Sequence, residues 1–98
     1  MAWRKYNFWV YIMANGRNGT IYTGVTNSLS RRVLEHKLKE KDCFTKKYNV
    51  VNLVYSEHYT YIINAIDREK EIKDLSRAKK IALIESQNLL WQDIAIDE

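Results

Sequence analysis

Ninety-eight residues make one domain with a modest core, since a chain this short buries only about 60–65% of its unfolded surface. A hydrophobic fraction of 46% and a charged fraction of 29% describe a globule rather than a disordered tail. The net charge of +4 is uneven: residues 1–50 hold ten Lys/Arg against three Asp/Glu, and residues 51–98 hold six against nine.

A charge polarity of that kind suits a polyanion on one face. The single cysteine, Cys43, excludes an internal disulfide and argues against a structural zinc site. It also fits a reducing compartment. The opening "MAWRKYNFWVYIM" is too short and too interrupted for a secretory apolar segment. No run approaches the ~20 apolar residues of a membrane span, so a cytoplasmic protein with no membrane partner is expected. Residues 1–98 are expected to form a single domain.

In chain order, "NFWVYIMA" is apolar and β-rich and reads as a strand. "NGRNG" holds two Asn-Gly pairs suited to positive φ, hence a hairpin turn, and "TIYTGV" is the returning strand. "TNSLSRRVLEHKLKEK" reads as a helix of about three turns capped by Asn27 or Ser28. "DCFTKKYNV" is a basic loop. "VNLVYSEHY" is a third strand, with Thr60 available to cap a long second helix. "LSRAKKIALIESQNLL" is a third helix beginning near Ser76. The order β-β-α-β-α-α predicts an α+β fold, a small three-stranded mixed or antiparallel sheet with helices packed on it.

Centring the turn between Gly16 and Arg17 predicts that Tyr11 lies directly opposite Tyr22, on one face of the hairpin. A slip of one residue would separate them. The pair can be a simple cross-strand aromatic contact. Gly24, however, lies two residues beyond Tyr22, and a glycine in a strand leaves room for another group. On the first helix, Arg32 and His36 form an i, i+4 pair bordering the Leu29–Val33 stripe, while Arg31 points outward. The plainer reading is that Arg32 snorkels and His36 only decorates the border. On the second helix, at about 100° per residue, Ile62, Ala65, Ile66, Ile72 and Ser76 form a stripe with Glu69 in its middle. A carboxylate there is costly unless a positive charge meets it.

The ordered set "VYI" at 10–12, "YTG" at 22–24, Arg32, His36 and Glu69 resembles the GIY-YIG endonucleases. It is closest to their small stand-alone bacterial members, which are similar to the amino-terminal nuclease domain of the excision-repair subunit. The likeness spans about residues 7–85, leaving 86–98 as a tail. It implies catalytic roles for Tyr11, Tyr22, Arg32, His36 and Glu69, with Glu69 holding one Mg²⁺ or Mn²⁺ ion and Arg32 at the phosphate. It also implies DNA as substrate, with RNA left open, and a place in DNA repair or processing. Departures are Trp9 for the family's glycine, Val10 for its isoleucine, and Val25 where a lysine is common. Asn88 also lies too far on to match an asparagine often found after the acid.

The chemistry is coherent. A single carboxylate with water and phosphate oxygens suffices for Mg²⁺, and Arg offers a planar fork that Lys lacks. A tyrosine with a pKa of about 10 is a poor base unless positive charge lies beside it. Tyr11, Tyr22 and His36 all remain candidates for the proton acceptor. Arg31, Lys37, Lys46, Lys47, Lys79 and Lys80, with Lys39 and Lys41, are suited to backbone phosphates. Phe44 and Tyr48 can stack on a base or pack under the loop. Such contacts carry no sequence code, so specificity would be low or supplied by a protein partner. The alternative is a non-catalytic nucleic-acid-binding or adaptor module of the same fold. The tail, with Leu89, Leu90, Trp91, Ile94 and Ile96, is expected to pack on its own domain or to dock on a partner.

Overall fold

The computed structural model describes residues 7–38 and 50–96. Its elements are β1 (Phe8–Ala14), β2 (Ile21–Thr26), α1 (Leu29–Leu38), β3 (Asn52–Tyr59), α2 (Ile62–Asp74) and α3 (Arg77–Gln87). The three strands form one antiparallel sheet in the order β2-β1-β3. β1 is central because its apolar run has no polar face to offer water; Val10 through Ala14 are all fully buried. Its side chains alternate between two layers. Val10, Ile12 and Ala14 pack with Ala65 and Ile72 of α2 and Ile84 of α3. Tyr11 and Met13 pack on the other face with Leu29 and Val33 of α1.

The hairpin register differs from the expected one. Tyr22 pairs with Met13 and Gly24 with Tyr11, a shift of two positions. The turn is centred on Arg17–Asn18, with the Gly19 N–H bonded to the Gly16 carbonyl at 3.0 Å. Asn18, not a glycine, supplies the positive φ of 57°, which Asn tolerates better than most residues. Asn15 completes the loop by accepting from the Thr20 N–H at 2.9 Å. An even shift keeps every side chain on its face, so the two tyrosines still share one.

Helix starts follow local chemistry with one exception. The Ser28 carbonyl accepts the first bond of α1, from the Arg32 N–H at 3.1 Å. Ser76 caps α3 through its hydroxyl, which accepts from the Lys79 N–H at 3.2 Å. Thr60 does not cap α2: the cap position is Tyr61, whose side chain makes no capping bond. The basic loop, with Cys43, Phe44, Lys46, Lys47 and Tyr48, lies outside the described residues apart from its last residue, Val50, as do Lys39 and Lys41.

The tail packs on its own domain. Trp91 is 3% exposed and donates from Nε1 to Glu85 at 2.8 Å, which offsets its unusual φ of 56°. The Ile94 N–H donates to the Leu53 carbonyl at 2.8 Å, and Asp93 accepts from the Leu53 N–H at 2.9 Å. Gln87 bonds both backbone groups of Ser56. The β3 edge is thus covered from Leu53 to Ser56, which removes a template for strand pairing. Leu89 and Leu90 stay exposed.

Candidate active site

Four of the sequence-predicted site residues meet on the α1 face of the sheet. Arg32 Nε donates to the Tyr11 hydroxyl oxygen at 3.0 Å, and that hydroxyl lies 3.3 Å from His36 Nε2. Both contacts are satisfied together when the Tyr11 proton points at His36 Nε2. The Tyr22 ring completes the cluster, with centroids 5.3 Å from His36 and 6.3 Å from Tyr11. Helical spacing explains the pair on α1: one turn separates Arg32 from His36, so both look across the sheet. His36 is only 2% exposed, a core residue rather than a border decoration. Arg32 also bonds Glu35 at 3.2 Å. Partial burial works against its charge, but the bonds to Tyr11, Tyr22 and Glu35 outweigh this and raise its pKa above the ordinary value.

Beside the cluster opens a cleft of about 570 Å³, lined by Phe8, Val25, Thr26, Asn27, Arg31, Arg32, Glu35 and Ile62. It passes the end of β2, so it joins the α1 layer to the start of α2. Arg31 is exposed there and donates to Asn27 at 3.3 Å.

Glu69 is placed differently. It sits on α2, in the layer opposite Tyr11 and His36, on the stripe marked by buried Ala65 and Ile72. It lies two turns beyond Ile62, on the same side of the helix. Its side chain is 18% exposed and its ion-pair partner is Lys73 at 3.6 Å. That separation is longer than a charge-assisted hydrogen bond. Among the described residues, no three His, Cys, Asp or Glu side chains form a metal cage. One inward carboxylate suits a Mg²⁺-type ion that completes its shell with water and substrate oxygens.

The expected phosphate contacts divide. Lys37 donates to Asp93 at 2.6 Å and to the Val51 carbonyl at 3.0 Å, so it ties α1 to the tail. Lys79 is exposed and Lys80 half-buried on α3. Lys46 and Lys47 lie outside the described residues.

A second cluster escaped the sequence reading. Glu57 accepts from Tyr59 at 2.7 Å, from Arg68 Nε at 3.0 Å, and from Tyr55. Burial pushes the Glu57 carboxyl up, yet these donors more than offset it and hold it below the ordinary value. Tyr55, Glu57 and Tyr59 share a strand face by alternation, and that was the readable signal. Arg68 precedes Glu69, so this anchor fixes the rotation of α2.

Residues 7–82 match the GIY-YIG catalytic domain. A UPF0213 protein of Natronomonas pharaonis is 41% identical over 76 residues, covering 78% of this chain and 88% of that one. A UPF0213 protein of Staphylococcus saprophyticus is 36% identical over 78% of this chain and 92% of its own. The solution NMR structure of the UPF0213 protein BH0048 from Bacillus halodurans superposes with a TM-score of 0.53 at 30% identity, covering 84% of this chain and 86% of that one. By domain match, sequence identity and fold, the chain belongs to the GIY-YIG family.

Proposed function

We propose that this protein is an endonuclease that hydrolyses DNA phosphodiesters with little sequence specificity and depends on one Mg²⁺ or Mn²⁺ ion. The observation that carries the reading is the Arg32–Tyr11–His36 chain of contacts beside Tyr22, at the border of a cleft that also holds Arg31.

Each residue then has a distinct task. Arg32, held at Nε by Tyr11 and at Nη1 by Glu35, lines the cleft and brings its charge to a phosphate there. Arg31 adds a second, sequence-independent charge. Tyr11 is fully buried, so water does not reach it; it positions Arg32 and His36. Tyr22 is half-buried and bonded to Arg32, and it takes the proton of the attacking water. Tyr22 can do this only as the phenolate, whose charge the neighbouring guanidinium offsets until the proton from water neutralises it. His36 keeps the Tyr11 hydroxyl oriented. Glu69 would hold the metal, which supplies Lewis-acid stabilisation of the phosphate and leaving oxygens.

The test is cleavage of branched, single-stranded and duplex DNA, with an RNA arm, in Mg²⁺, Mn²⁺ or chelator. Metal-dependent products that disappear in Glu69→Ala support the enzyme. Salt-sensitive binding without any product overturns it in favour of a binding module.

A further inference from the structure

We propose that the groove formed by Phe8, Thr60, Tyr61, Ile62 and Ile63 receives an unpaired nucleobase next to the phosphate held at Arg31 and Arg32. This rests on the nuclease reading and names its substrate class: DNA with an unpaired nucleotide at the site of cutting.

The groove has a volume of about 350 Å³ and is walled almost wholly by apolar and aromatic side chains. Tyr61 is 66% exposed, Ile63 61% and Ile62 44%, a concentration of apolar surface at one helix start. The same chain begins α2 without any side-chain cap at Tyr61. The groove is continuous with the cationic cleft, because Phe8 and Ile62 line both. An apolar groove adjoining two guanidinium groups matches a nucleotide, which carries a π-face on one side and an anion on the other. Stacking on Tyr61 or Phe8 is sequence-tolerant, since every base has such a face. A fully paired duplex keeps its bases stacked inside and can use only the cationic half.

The experiment measures binding in chelator, so that nothing is cut. Oligonucleotides carry 2-aminopurine in a single strand, at an unpaired position of a duplex, or within a fully paired duplex. Wild type is expected to quench the first two and to bind them more tightly than the third. Tyr61→Ala should weaken those two about tenfold, leave the paired duplex unchanged, and retain the thermal midpoint. Tyr61→Phe should restore wild-type binding. Equal affinity of Tyr61→Ala and wild type for unpaired DNA overturns the proposal. So does a concentration-dependent dimer that Tyr61→Ala dissociates while DNA binding stays intact. Cleavage without preference for unpaired sites removes only this inference; preference without cleavage removes only the nuclease reading.

Discussion

The Tyr11 phenol rests against Gly24, the residue it pairs with on β2: a Cβ at position 24 would come within 2.6 Å of the hydroxyl and 2.7 Å of Cζ. Gly24 is therefore the floor of the site. Tyr11 is fully buried and bonded to Arg32, so it has no easy way to retreat. Gly24→Ala is expected to cost about 1–3 kcal/mol of stability by forcing the ring out of place. Activity should fall further than stability, because the same shift moves Arg32. Denaturant titration and cleavage rates measured on one preparation check both.

Removing only the hydroxyl isolates its positioning role. Tyr11→Phe keeps the packing with Leu29 and Val33 but leaves Arg32 Nε and His36 Nε2 without their shared partner. The expected cost is about 1–3 kcal/mol in stability. The turnover rate should drop while the salt dependence of DNA binding stays unchanged. Tyr22→Phe should lower turnover with a much smaller effect on stability, since Tyr22 is half-buried.

Arg32→Lys retains a positive charge but replaces the planar fork, which reaches Tyr11 from Nε and Glu35 from Nη1, with a single compact ammonium. A loss of about 10²–10³ in turnover is expected, comparable to removing a preorganised donor from a transition state. Single-turnover kinetics distinguish this from a loss of binding.

Two basic residues on α1 should behave in opposite ways. Arg31 faces the cleft, so Arg31→Ala should reduce the salt slope of DNA binding by about one, uniformly across sequences. Lys37 is engaged with Asp93 and Val51, so Lys37→Ala should loosen the tail and leave the slope alone. The exposed ion pair itself contributes only about 0–1 kcal/mol. Faster amide exchange at Leu53 and Ile94 is the readout of that loosening.

The Glu57 cluster predicts two pH limbs in stability. The folded Glu57 carboxyl titrates below its unfolded value of about 4.5, so its contribution is present above that pH and is lost as acid protonates the folded form. Tyr55 is pushed up to about 12 by burial and by its bond to Glu57, so its contribution holds below pH 10 and disappears between about 10 and 12. Glu57→Gln should flatten the acid limb and Tyr55→Phe the alkaline one, each followed by denaturation midpoints across pH.

The element order was legible in the sequence because periodicity and turn chemistry are local. "NFWVYIMA" announces a strand, and Ser76 announces a helix start. The shared face of Tyr11 and Tyr22 was equally legible, since parity survives a shift of two. The register itself was not: it depended on Asn18 taking the positive φ and on Asn15 closing the loop, and Asn-Gly composition alone allows either centre. Inward placement of Glu69 followed from helical spacing. Its layer, opposite the tyrosines, came from which face of β1 each helix covers, and that is a matter of packing. Glu57 with Arg68, and Lys37 with Asp93, lie on separate elements or far apart in the chain. Only the folded sheet brings such charges together, because the hydrophobic alternation that positions them carries no record of which polar partners will meet.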